Sequence, residues 1–180
     1  MPAERPAVFF DRDGTLIHEV HYCSDPARVR AFEDTPRALI KLADAGFALI
    51  IITNQSGIGR GYFTHDDFQR VQEEVLRQLR PAAITGTYYD DSDPQSPGDR
   101  RKPSPRMVEE AAREHGLDPG RSFFVGDKKS DIDCGKNAGL RTVLVETGYG
   151  KEHADCGADA VVPDILAAAD WILQEAECRR

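Results

Sequence analysis

The chain has 180 residues, and 23 Lys plus Arg against 31 Asp plus Glu leave a formal net charge of −8. That length predicts a single domain over residues 1–180, large enough to bury about two-thirds of its unfolded surface. A content of 40% hydrophobic and 30% charged residues suits a soluble globular protein and excludes an intrinsically disordered one. The acidic balance argues against a protein that wraps nucleic acid by neutralising its phosphates. No stretch nears the roughly 20 apolar residues of a membrane span, and Met1 to Val8 carries Glu4 and Arg5 without the apolar core of a signal peptide. Cys23, Cys134, Cys156 and Cys178 show no C-x-x-C spacing, so they read as free thiols of a reducing compartment. The expected location is the cytoplasm, with neither membrane nor nucleic acid as partner, and a monomer is expected.

Ala7 to Phe10 is the first predicted strand. Asp34, Thr35 and Pro36 open a helix that runs from Arg37 to Ala45, with Leu39, Ile40, Leu42 and Ala43 along one face and Gly46 as its stop. Phe47 to Ile52 is a continuous apolar run, the pattern of a parallel strand covered on both faces. Thr64, with Asp67 three residues on, caps a helix in which Phe68, Val71, Val75, Leu76 and Leu79 recur at helical spacing as far as Pro81. Ile84 to Tyr89 reads as a third strand, Asp90 to Arg101 as a loop rich in Asp, Pro, Ser and Gly, and Pro105 to His115 as a helix stopped by Gly116. Strands at Ser122 to Val125, Thr142 to Val145 and Ala160 to Val162 alternate with helices at Asp131 to Ala138 and Asp164 to Glu177. Trp171, in helical spacing with Ile165, Ala168 and Ile172, reads as core. This rhythm predicts an α/β fold with right-handed crossovers, a doubly wound parallel sheet. Ligands of such sheets sit beyond the carboxyl ends of the strands.

Chemistry is therefore expected in the segments just beyond each strand. Asp11-Arg12-Asp13-Gly14-Thr15 comes after the first and Thr53-Asn54-Gln55-Ser56-Gly57 after the second. Arg101-Lys102-Pro103 ends the long loop, and Gly126-Asp127-Lys128-Lys129-Ser130-Asp131 comes after the fourth strand. Carboxylates, a hydroxyl and cations gathered at one sheet edge suit a hard cation plus a phosphate. Asp11 and Asp127 can ligate Mg²⁺ through oxygen, while Lys102 and backbone N–H groups hold phosphoryl oxygens. Carboxylates that close together repel strongly unless a metal stands between them.

Asp11 and Asp13, two apart at a strand end, point to the same side. One can attack phosphorus in line to form an aspartyl phosphate. The other can protonate the leaving oxygen and then take a proton from the water that cleaves the intermediate. Gly14 lets the backbone turn away, and its N–H can approach an anion. Taken singly, Thr53 is an ordinary strand-end hydroxyl, Lys102 a solvated cation, and Lys128 or Lys129 a counter-charge to an acidic site. Asp131 is expected to orient Lys128 or a water rather than to ligate a metal. The five histidines have no metal-ligand spacing and read as surface residues.

These four segments, in this order over nearly the whole chain, resemble the haloacid dehalogenase (HAD) superfamily of phosphatases. The resemblance implies Asp11 as nucleophile and Asp13 as general acid and base. It implies Thr53 and Lys102 as partners of the phosphoryl group, and a Mg²⁺ site made by Asp11, Asp127 and the main-chain carbonyl of Asp13. Thr53 to Ile58 with Arg60-Gly61, Arg101-Lys102-Pro103 and Gly126-Asp127-Lys128 are similar to the histidinol-phosphate and heptose-bisphosphate phosphatase branch. That likeness implies a small sugar bisphosphate as substrate, D-glycero-D-manno-heptose 1,7-bisphosphate first among them. It also implies substrate contacts from Glu19 to Tyr22 and from Asn54, Gln55, Ser56, Arg101 and Lys128.

Members of that branch hold a zinc ion in the loop after strand three, with ligands arranged C-x-H and C-x-C. Here Tyr89 to Arg101 contains neither Cys nor His, so no zinc is expected; Asp90, Asp91 and Asp93 read as a solvated acidic turn. Residues between Thr15 and Pro36 suffice for a flap but not for a folded cap, so an open site is expected. Histidinol phosphate and a nucleic-acid 3′-phosphate end stay open as alternative substrates. A phospho-receiver domain without turnover is a third reading, opposed by Asp13, which such a domain lacks.

Overall fold

In β1 (Ala7–Phe10) every residue is buried, because both faces of the strand are covered. Period-two alternation sends Val8 and Phe10 to one face and Ala7 and Phe9 to the other. Val8 and Phe10 pack with Leu39 and Leu42 of α1 (Thr35–Asp44), Val71 and Val75 of α3 (His65–Gln78) and Ile172 of α6 (Ile165–Glu177). Ala7 and Phe9 pack with Met107, Val108 and Ala111 of α4 (Arg106–His115) and Cys134 of α5 (Lys129–Asn137). β2 (Ala48–Asn54) divides in the same way, Leu49 and Ile51 against Ala48, Ile50 and Ile52. Each large side chain so buried contributes about 1.5–3 kcal/mol, and these two interior strands thereby hold both helical layers. This computed structural model describes residues 4–178. Of the N-terminal stretch Met1 to Val8, the first three positions, Met1 to Ala3, lie outside the described residues.

The sheet is wholly parallel, in the order β3-β2-β1-β4-β5-β6, with β3 at Gly86–Asp90, β4 at Phe123–Gly126, β5 at Arg141–Val145 and β6 at Ala160–Val162. From β1 the chain winds outward through β2 and β3, then returns to lay β4 on the other side of β1. The loops leaving β1 and β4 therefore diverge, and a crevice opens between them at the carboxyl edge.

Several boundaries differ from the sequence expectation. The third strand is not Ile84 to Tyr89, because its register runs from Ile50↔Gly86 to Asn54↔Asp90. Asp90 is therefore a buried sheet residue rather than part of a solvated turn, and its carboxylate accepts the N–H (3.1 Å) and the hydroxyl of Ser92. A single helical turn, α2 (Ser56–Gly59), comes after β2 where no element was predicted. Trp171 lies at the rim of the core, edge-on to Phe123, with the Arg141 guanidinium stacked on it at 4.9 Å. The Thr64 cap is as expected: its Oγ accepts from the Asp67 N–H (3.1 Å), and its own N–H donates to Asp67 Oδ2 (2.8 Å). Between residues 16 and 34 the chain forms a 3₁₀ turn at Pro26–Arg28 and isolated bridges at Ile17, a flap without a folded cap. No helix among the described residues is long and apolar enough to cross a membrane.

Candidate active site

The crevice is an open cleft of about 380 Å³. Asp11 prolongs β1, its N–H donating to the carbonyl of Val125 (3.0 Å), which sets its side chain beside the exit of β4. There Lys102, 4% exposed, commits its ammonium three ways. It donates to Asp11 Oδ1 (2.8 Å) and to the carbonyl of Ile52 (2.9 Å), and it pairs with Asp131 Oδ1 (2.7 Å). Burial would weaken the lysine's hold on its proton, but the charges of Asp11 and Asp131 more than offset this, and it stays protonated. Burial likewise opposes ionisation of Asp11. The charges of Lys102 and Lys128 override it and hold that carboxyl below the usual carboxylate range. A deprotonated, oriented carboxylate at a strand end is a nucleophile in waiting.

Asp127 has the opposite balance. It is fully buried; Oδ2 accepts the Tyr149 N–H (2.9 Å), and Oδ1 has no partner. Burial first, and then the charges of Asp11 and Asp131, push this carboxyl up to about 8. Carboxylate oxygens of Asp11, Asp127 and Asp131 lie within 4.8 Å of one another, the one such group of potential ligands among the described residues. Gly14 (φ 86°) and Gly148 (φ 53°) wall this group, and a Cβ on either would run into the Asp127 carboxylate. A buried carboxylate with an unpartnered oxygen, beside two further carboxylates, is the environment that a hard divalent cation satisfies. The residues present fit such an ion.

Asp13 lines the same cleft. Arg12 Nε and Nη2 donate to its Oδ2 (3.0 Å) and Oδ1 (3.2 Å), and Gln55 Nε2 donates to Oδ2 (3.0 Å) and to Thr53 Oγ (2.9 Å). Asn54 does not present its side chain to the cleft as a free group. It clamps the main chain of Lys102, accepting its N–H (3.0 Å) and donating to its carbonyl (3.3 Å). Lys128 Nζ lies 3.8 Å from Glu19 and 4.9 Å from the centre of the Tyr149 ring. Burial, and then the charge of Asp13, raise the Glu19 carboxyl. Tyr22 (φ 52°), Ser56 and Arg101 complete the wall, and Arg101 Nη1 is buried without a partner.

All the predicted site residues thus converge on one edge, Asp127 lying just beneath the cleft. Besides Asn54, three expectations change. The Gly14 N–H donates to the carbonyl of Ile17 (2.8 Å), because the chain folds back on itself there, and it is not free for an anion. Asp131 orients Lys128 through the main chain, its Oδ2 accepting the Lys128 N–H (3.1 Å), but it also reaches Lys102 and the carboxylate group. Lys129 turns outward to Asp133 (2.6 Å). Sequence reasoning missed Cys23, Tyr149 and His153 as lining residues, and it placed Ser130 in a site segment without a role. Tyr149 lies just after β5, so the rule that ligands gather beyond strand ends would have found it.

The fold and this edge are those of a phosphatase. Residues 99–168 match the family model described as HAD-hydrolase-like. The D-glycero-D-manno-heptose-1,7-bisphosphate 7-phosphatase of Chlorobaculum tepidum is 38% identical over 175 residues, covering 89% of this chain and 87% of its own. The D-glycero-beta-D-manno-heptose-1,7-bisphosphate 7-phosphatase of Escherichia coli K12 is 34% identical over 178 residues, 93% of this chain and 88% of its own. The crystal structure of D,D-heptose 1,7-bisphosphate phosphatase from B. bronchiseptica, complexed with magnesium and phosphate, superposes with a TM-score of 0.87 at 28% identity over 95% of this chain and 99% of that one. The chain belongs to the haloacid dehalogenase superfamily, in the branch of the heptose-bisphosphate phosphatases.

Proposed function

We propose that this protein removes a phosphate from a small phosphorylated sugar, D-glycero-D-manno-heptose 1,7-bisphosphate first among them, by way of an aspartyl phosphate on Asp11. The observation that carries this reading is the buried Lys102, which holds Asp11 ionised and fixed at the floor of an open cleft. The names of the relatives support the sugar, and the cleft, which no folded cap covers, can admit one.

Asp11 attacks phosphorus, and the P–O bond to the sugar breaks as Asp13 delivers a proton to the departing oxygen. Asp13 then takes a proton from the water that attacks the aspartyl phosphate, which returns Asp11 and releases inorganic phosphate. Lys102 opposes the negative charge that gathers beside Asp11, as a charge rather than as a free donor, because all three of its protons are committed. Thr53 and Gln55 line the approach of the phosphoryl group, and Ser56, Arg101, Lys128, Glu19 and Tyr22 hold the remainder of the substrate. A Mg²⁺ held by Asp11, Asp127 and the main-chain carbonyl of Asp13 would draw charge from the phosphoryl oxygens. Four free cysteines, two of them buried, suit a reducing cytoplasm.

The test is hydrolysis of p-nitrophenyl phosphate and a panel of sugar phosphates, with and without Mg²⁺, by the protein and by Asp11→Asn. Mg²⁺-dependent turnover that disappears in the variant is the expected result. Metal-independent turnover, or full activity in Asp11→Asn, would overturn the proposal.

A further inference from the structure

Arg12 stands between the two aspartates in sequence, yet it takes no part in the catalytic steps. Its side chain is only 1% exposed, and Asp13 is its sole ion-pair partner among the described residues. Burying a guanidinium is unfavourable unless its N–H groups are matched, and here the matching is specific. Nε and Nη2 form a fork on the two oxygens of Asp13, and Nη1 donates to Gln72 Oε1 (3.2 Å). The Phe68 ring lies beneath the guanidinium, its centre 5.5 Å away. Gln72 is itself 5% exposed, a polar residue on the buried face of α3, and it spends its other group on Thr87 Oγ of β3 (3.1 Å). A rigid chain therefore runs from β3 through α3 to the carboxylate at the cleft.

An ionised carboxylate offers about four lone-pair sites. Arg12 Nε and Gln55 take both on Asp13 Oδ2, and Arg12 Nη2 takes one on Oδ1. One site is left, and it is on Oδ1. We infer that Gln72, acting through Arg12, is a positioning residue that fixes the Asp13 carboxyl, and that Asp13 Oδ1 is the oxygen that passes the proton. This inference rests on the reading of Asp13 as general acid and base.

A positioning role separates from a merely structural one by the leaving group. Proton delivery matters most when the departing oxygen is strongly basic, so kcat/KM in saturating Mg²⁺ should be compared for phenyl phosphate and p-nitrophenyl phosphate. Gln72→Leu should lose roughly 10- to 100-fold on phenyl phosphate, the scale of a misplaced catalytic group. On p-nitrophenyl phosphate, whose leaving group needs little protonation, it should stay within about threefold of the parent. Gln72→Glu keeps an acceptor for Arg12 and can accept the Thr87 hydroxyl, so it should restore most of the phenyl phosphate activity. Equal losses on both substrates, or none on either, in Gln72→Leu would overturn the relay. Asp13→Asn keeps the two failures apart. It should be at least as selective against phenyl phosphate as Gln72→Leu; if it shows no selectivity, the acid role falls and this inference with it. If Asp13→Asn is selective and Gln72→Leu is not, the relay alone falls.

Discussion

Replacing Asp127 with asparagine should separate the stability of the fold from its capacity to hold a cation. In the protein without metal, Asp127 is a fully buried carboxyl whose Oδ1 lacks a donor and whose neighbours are Asp11 and Asp131. The amide keeps an acceptor for the Tyr149 N–H, where Oδ2 now serves, and places an NH₂ where the unpartnered oxygen stands. An unsatisfied buried group costs about 1–3 kcal/mol, and more when charged. Thermal unfolding in chelator should therefore show Asp127→Asn more stable than the parent, with Tm higher by roughly 2–12 °C on the scale of about 2–4 °C per kcal/mol for this size. Mg²⁺ should reverse the order. At a concentration about 1,000 times its Kd, a cation that binds only the folded parent adds about 4.1 kcal/mol, and the variant should gain little of it. A variant less stable than the parent in chelator, or stabilised equally by Mg²⁺, would refute the placement of the cation at this carboxylate cradle.

Lys102→Met should act in the opposite direction in chelator, because it leaves Asp11 and Asp131 buried without their shared cation. Removal of one partner of a buried ion pair costs about 3–5 kcal/mol, read as a lower urea midpoint at unchanged m-value; an unchanged midpoint would contradict the three-way arrangement. Glu74 tests a site far from the cleft. Two bonds from Arg77 (2.7 Å each) and one from Gln78 (2.6 Å) lower its carboxyl from 4.5 to about 2. A depressed pKa in the folded state stabilises above the unfolded value and is lost as pH falls. The stability difference between the parent and Glu74→Gln should therefore shrink between pH 4.5 and about 2, and a difference independent of pH across that window would refute the pairing.

The parts of this molecule legible in its sequence are those fixed by local rules. β1 and β2 show as continuous apolar runs because both of their faces are buried, and the Thr64 cap shows because its partner is three residues away. Asp11, Asp13, Thr53, Lys102 and Asp127 were found because each lies at or beyond a strand end, or closes the loop that returns to one. The edge of β3 was misjudged because register, a contact between distant segments, draws Asp90 into the sheet against its own poor strand propensity. Other features were equally hidden by distance. Asn54 meets Lys102 across 48 positions, and Arg12 meets Gln72 across 60. No spacing rule announces such meetings.

The Asn54 clamp has a further bearing on how this site tolerates change. The segment from Tyr89 to Arg101 that leads to Lys102 holds neither Cys nor His, yet the lysine is tethered from β2 at its main chain and at its ammonium. The anchor belongs to the strand next door, so the excursion between β3 and Lys102 is free to change length and composition while the ammonium stays in place. Variation among relatives should concentrate in that excursion, where it can reshape the mouth and the choice of sugar without disturbing the bond-breaking floor below.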